Sequence, residues 1–184
     1  MQKKDLWSME MNLIEIARKT IEARLTNRNF EIPELDKKRL SKKQACFVTL
    51  TIDGNLRGCM GSLIPHQELW KDIQENAINA AFYDPRFPPL TLEEFYKTKI
   101  EISLLSIPGK LKFSNIEELL SKLDSRPGLI LKKGNVLSTF LPQVWEDIPD
   151  KIEFLEQLSL KAGLPKDAWK SAEFEYYTVE KIKE

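Results

Sequence analysis

Histidine occurs once in this sequence, at His66, and cysteine twice, at Cys46 and Cys59. Two cysteines cannot form the framework of a disulfide-stapled secreted domain. One histidine and two cysteines at these spacings match no common zinc pattern, so no metal site is expected. Charge of one sign is also missing, because 28 lysines and arginines face 28 aspartates and glutamates. Phosphate binding normally leaves a basic surplus, so nucleic acid is not expected as the main partner, despite the local cluster Lys37, Lys38, Arg39, Lys42 and Lys43. No apolar run reaches the roughly eighteen residues that a membrane helix needs. The start, Met1 to Trp7, lacks the continuous apolar stretch of a secretory signal. A cytoplasmic protein with reduced thiols is therefore expected. Walker, GxGxxG, HExxH and GxSxG motifs are all missing, and no cofactor is expected. Neither a repeat nor a Gly/Ser linker divides the chain, which reads as one domain over residues 1–184.

What is present is a succession of short helix and strand signals. Leu13, Ala17, Ile21 and Leu25 recur at helical spacing, with Ile14 alongside and Ser8 as the expected N-cap. Residues 27–43, which contain Pro33 and many charges, read as an irregular connection. Ala45 to Ile52 reads as a strand, Asp53-Gly54 as a hairpin turn, and Leu56 towards Leu63 as the return strand. A helix follows from about Gln67 to Phe82, with Leu69, Ile73, Ala77 and Ala80 on one face. The three prolines of Asp84-Pro85-Arg86-Phe87-Pro88-Pro89 exclude regular structure there. Thr91 with Glu94, and Ser114 with Glu117, are capping boxes. Lys99 to Ile107 reads as a strand, and Lys133-Gly134-Asn135 joins a second hairpin. Asp150 caps a helix that Gly163 stops, and Phe174 to Val179 reads as a closing strand. Hairpins mixed with helices, without strict βαβ alternation, indicate an α+β fold of antiparallel hairpins and packed helices.

Chemistry concentrates in Leu56-Arg57-Gly58-Cys59-Met60-Gly61. Gly58 and Gly61 leave the backbone beside Cys59 bare, which marks a bulge or a close approach by another group, a ligand among them. Arg57 stands two residues before Cys59, so in an extended strand guanidinium and thiol share a face. A neighbouring cation favours thiolate. The hairpin register decides which face that is. A two-residue loop puts Cys59 with Cys46, Val48 and Leu50 and aims Arg57 into an apolar core. A three-residue loop, Asp53-Gly54-Asn55, puts both with Phe47, Thr49 and Thr51. The second parity is preferred because an unpaired cation in a core is costly. Against the reactive reading stands a bland one, in which Cys59 is a small buried hydrophobe, as Cys46 is read to be. His66 could approach the thiol as a base or simply face solvent. Arg86, held between Pro85 and Phe87, could clamp an anion, or pair with Asp84 to brace its own loop. Phe140 to Trp145 reads as packing.

With these residues in view, the sequence resembles the AMMECR family, in particular its prokaryotic branch, the A component of the AmmeMemoRadiSam system. The resemblance rests on Leu56 to Leu63, Ala81 to Leu90, Glu101 to Ser106, Thr139 to Trp145 and Leu160 to Leu164, and it covers nearly the whole chain. It departs at Gln44, where glycine is common, and at Ser125 to Leu129, a shortened turn. The resemblance implies an α+β fold in two lobes around a cleft and raises the weight on Cys59 and Arg57. It also implies radical-SAM and Memo-like companion proteins, without bringing a settled activity. The expected function is a ligand- or partner-binding module centred on Cys59, with Gly58, Gly61, Thr49, Asp84 and Arg86 as binding residues. The alternative is a thiol-dependent enzyme with Cys59 as nucleophile, Arg57 as thiolate stabiliser and His66 as a weaker catalytic candidate.

Overall fold

The computed structural model describes residues 11–184. They form an α+β structure that divides into two compact units, one built on residues up to 105 with 180–184, the other on residues 106–179.

In the first unit a four-stranded sheet has the order β2-β1-β3-β8, formed by β1 (Cys46–Ile52), β2 (Asn55–Gly61), β3 (Thr98–Leu105) and β8 (Val179–Lys183). The central pairings are antiparallel. Cys46, Val48 and Leu50 alternate along β1 and are fully buried, as are Ile100 and Ile102 or nearly so. They meet the apolar faces of α1 (Leu13–Leu25) and α3 (Leu69–Phe82) through Ile14, Ile16, Ala17, Ile21, Ile73, Ala77 and Ala80. The α1 stripe lies where the spacing put it, but the cap is Asn12, which forms a full capping box with Glu15. Ser8 lies outside the described residues. Residues 27–43 are not wholly irregular: α2 (Glu34–Arg39) follows Pro33, with acids in its first turn and bases in its last.

The β1–β2 hairpin settles the register by a route the sequence reading did not weigh. Ile52 pairs with Asn55, so the loop is the two residues Asp53 and Gly54, at φ 51 and 80. That is the left-handed pair a tight hairpin turn requires. The parity then flips at a bulge: Thr51 pairs with Leu56 and Leu50 with Gly58, leaving Arg57 as the extra residue. Cys59 consequently faces Thr49, the half-polar side, as the sequence analysis preferred. The expected three-residue loop is absent.

The second unit carries the sheet β4-β7-β5-β6, from β4 (Gly109–Leu111), β5 (Gly128–Lys133), β6 (Val136–Phe140) and β7 (Glu173–Tyr177). Its core face packs on α5 (Ile116–Lys122), α6 (Val144–Asp147) and α7 (Lys151–Lys161). Trp145 stacks on Phe154 at 3.6 Å between ring centroids, so Phe140 to Trp145 do pack. Asp150 caps α7, and Gly163 ends that segment at φ 71. The capping residue of α5 is Asn115 rather than Ser114. The expected closing strand is two strands, β7 and β8, which belong to different sheets.

Among the described residues no helix is long and apolar enough to cross a membrane.

Candidate functional site

Because β2 ends the sheet order, one side of its backbone has no neighbouring strand among the described residues. The proline-rich loop supplies the missing partner at Cys59. Asp84 accepts the Cys59 N–H at 2.9 Å, and Arg86 donates to the Cys59 carbonyl at 3.3 Å. A carboxylate and a guanidinium thus replace a neighbouring strand for one residue. Both Cys59 backbone groups point outward, so Cys59 and Thr49 form the kind of antiparallel pair whose side chains lie closest. The Cys59 sulfur is 3.3 Å from the Thr49 hydroxyl, and the residue is half-buried.

Asp84 is 3 % exposed and holds Arg86 through both carboxylate oxygens, at 2.9 and 2.7 Å. This pairing, with the two backbone N–H bonds it accepts, holds the Asp84 carboxyl far below the usual carboxylate range. Arg86 is raised in turn, first by its bond to Asp84. The geometry therefore shows Arg86 bracing its own loop and gripping the Cys59 strand.

Arg57 is the larger departure from expectation. It is 8 % exposed, and its guanidinium donates to Glu94 at 2.9 and 3.0 Å and to the Pro88 carbonyl at 2.9 Å. Its remaining nitrogen, Nη1, is buried without a hydrogen-bond partner among the described residues. Every hydrogen bond of this guanidinium is thus made to Glu94 or Pro88, and none to the thiol. Glu94 has a second task, since it completes the Thr91 capping box at the start of α4 (Leu92–Lys97). The Arg57 and Thr91 bonds bring its carboxyl down to about 2.

At both glycines the place of a Cβ is taken by atoms of the chain itself. A Cβ at Gly58 would lie 2.1 Å from the Ala80 carbonyl oxygen, so β2 passes directly under α3. A Cβ at Gly61 would lie 2.3 Å from the Phe47 ring. These are close approaches of backbone to backbone and backbone to ring.

His66 is exposed; its Nδ1 lies 3.2 Å from the Ile64 carbonyl and 3.9 Å from Asp72, and no hydrogen bond joins it to Cys59. Asp72 is a buried carboxylate on α3 that was not among the expected site residues. Only 1 % exposed, it accepts from Cys46 N–H, Asn76, Ser62 and Gln67. It ties the start of β1 and the end of β2 to α3. Its signal was readable, because Asp72 and Asn76 stand four apart within the apolar stripe of Leu69, Ile73, Ala77 and Ala80. Burial, with Asp72 beside it, pushes the Cys46 thiol well above its ordinary range. Cys46 is a structural cysteine. Among the described residues no three His, Cys, Asp or Glu side chains gather in a way that could hold a metal ion.

The chain as a whole is similar to known proteins. The family model AMMECR1 matches residues 14–182. A protein of Nanoarchaeum equitans is 43 % identical over 173 residues, covering 92 % of this chain and 96 % of its own. One from Aquifex aeolicus is 39 % identical over 169 residues, covering 90 % and 86 %. The crystal structure of an uncharacterized protein from Pyrococcus horikoshii superposes with a TM-score of 0.79 at 36 % identity, over 94 % of this chain and 89 % of that one. This chain belongs to the AMMECR1 family.

Proposed function

We propose that the chain is a ligand- or partner-binding module whose contact centre is the Cys59 strand, acting with radical-SAM and Memo-like companion proteins in the cytoplasm. The observation that carries this reading is the double clamp on Cys59. Asp84 and Arg86 hold its N–H and carbonyl while the half-buried thiol rests against the Thr49 hydroxyl. Such a clamp presents one side chain in one orientation, as a recognition surface needs. The alternative, a thiol enzyme with Cys59 as nucleophile, draws support from the contrast with Cys46, which is 0 % exposed and whose thiol resists ionisation. Among the described residues no base engages the sulfur, since His66 engages Ile64 and Asp72, and Arg57, the expected thiolate stabiliser, engages Glu94.

Two treatments of the same sulfur separate the readings. Iodoacetamide on the folded protein, followed by peptide mass spectrometry, is expected to modify Cys59 and spare Cys46. Binding to the purified radical-SAM companion is then measured for the Cys59→Ser variant and for protein alkylated at Cys59 with N-ethylmaleimide. A binding module keeps its affinity with serine and loses it with the bulky adduct. Unchanged binding by the adduct would remove Cys59 from the contact. Loss of a companion-dependent reaction in Cys59→Ser, with binding intact, would favour the enzyme.

A further inference from the structure

The second unit contains a pocket unrelated to Cys59. Phe174 and Tyr176 alternate along β7 and share a face. Leu111 of β4 stands opposite Phe174, and Leu129 of β5 opposite Tyr176. These side chains therefore lie on the side of the sheet that α5, α6 and α7 cover. The cover is incomplete, because α5 stops at Lys122 and residues 123–127 turn away to start β5. Between that turn and the sheet lies a space of about 520 Å³, with a floor of Leu111, Leu123, Pro127, Leu129 and Tyr176. Small-molecule sites commonly measure 300–1,000 Å³, are mostly apolar and carry a few convergent polar groups.

Tyr176 is 43 % exposed, and its ring lies over Gly109, where a Cβ would approach it to 3.1 Å. A Cβ at that position would require the ring to give by a few tenths of an ångström. The rim is charged by Lys122, Asp124 and Arg126. Arg126 uses Nε and Nη2 on Asp124, so the two donors of Nη1 remain for a head group. Lys122 gives one N–H to the Lys112 carbonyl and one to Glu118, and keeps a third. With Asp124 and Glu118 counted against Lys122 and Arg126, the rim is neutral. It has free donors but no surplus charge, which suits a singly charged anion better than a doubly charged one.

We propose that this pocket binds a small carboxylic acid with an apolar body. The body lies on Leu111, Leu129 and the Tyr176 ring, and the carboxylate meets the spare donors of Lys122 and Arg126. The test is a titration of the full-length, isotope-labelled chain, following its backbone amides by NMR with phenylbutyrate, phenylbutanol, phenylbutylamine and inorganic phosphate as probes. Phenylbutyrate is expected to shift the amides of Leu111, Leu129 and Tyr176 in a saturable manner, about tenfold more tightly than the alcohol or the amine, the weight of roughly one charge-assisted bond. Inorganic phosphate is expected to leave them unmoved. Replacing the exposed Lys122 and Arg126 together by alanine removes the preference for the acid and leaves alcohol binding unchanged. Leu111→Trp fills the pocket from an edge strand and abolishes every shift; should it fail to fold, the alanine pair carries the test alone. Equal binding of acid, alcohol and amine overturns the carboxylate assignment. Absence of saturable shifts at these residues overturns the site.

Discussion

At the scale of single residues, the space beside the Cys59 strand is filled by the chain itself. Gly58 shows this most directly, since the Ala80 carbonyl occupies the place of its Cβ. Gly58→Ala must push β2 and α3 apart, and relief cannot come from a flexible side chain because the obstacle is backbone. A loss of about 2–3 kcal/mol is expected, the upper end of overpacking costs, measured by urea unfolding. An unchanged midpoint would mean that helix and strand are not in contact there. Arg57 makes a similar case. Its guanidinium is mostly out of water and its stabilising partner is Glu94. Removing Glu94 leaves the buried guanidinium without its carboxylate and also takes away half of a capping box, whereas Glu94, with 35 % of its side chain exposed, can turn to water when Arg57 is removed. Glu94→Ala should cost about 3 kcal/mol, and Arg57→Ala less, because water screens the carboxylate it leaves behind. In the double-mutant cycle the pair should show about 2 kcal/mol of coupling. Additive losses would mean that the two act independently. The sequence placed Arg57 correctly as a residue that must not sit unpaired in a core. It could not name Glu94, 37 positions away, because that pairing exists only once α4 is packed beside β2.

At the scale of elements, what could be read and what could not divide along physical lines. The Asp53-Gly54 turn was legible because two successive left-handed residues need such a pair. The α1 and α3 stripes were legible because burial imposes helical periodicity. The bulge at Arg57 was not, since a bulge is a relation between two strands and neither strand carries it alone. The six-residue α2 was hidden by its charges, with only Asp36 buried. The passage from β7 to β8 interrupts no local pattern, so Phe174 to Val179 looked continuous. The proline-rich loop was recognisable as rigid, yet its purpose emerges only from its contact with β2. An edge-strand amide ordinarily exchanges with solvent readily, but Cys59 N–H is bonded to a buried carboxylate. Its exchange should therefore be slow compared with the other outward-facing amides of β2. Asp84→Asn keeps the shape but removes the charge that holds Arg86, and should accelerate Cys59 exchange about tenfold or more while the buried β1 amides stay protected. Equal acceleration throughout the sheet would instead indicate global destabilisation.

At the scale of the whole molecule, the carboxylates of greatest consequence lie in one unit. Asp84 and Glu94 both have folded values depressed below the ordinary carboxylate range, Asp84 chiefly by Arg86 and Glu94 chiefly by Arg57. A depressed carboxyl contributes stability in full above its unfolded value, and that contribution is lost as pH falls through the folded one. Stability should thus be level from neutrality to about pH 5, then fall between roughly pH 4.5 and 2 as these two groups are forced to protonate. The second unit also has lowered carboxyls, Glu118 with Lys122 and Asp124 with Arg126. Those pairs are open to solvent, where water and salt screen them and such interactions contribute little. Acid should therefore loosen residues 46–105 first. Hydrogen exchange followed from pH 5 to pH 2.5 should show β1 and β2 amides losing protection while β5 and β7 retain theirs. The Glu94→Gln variant should flatten that dependence, since a neutral amide has no proton to gain. Simultaneous loss in both sheets, or an unaltered profile in Glu94→Gln, would show that the Arg57–Glu94 pair is not what acid attacks.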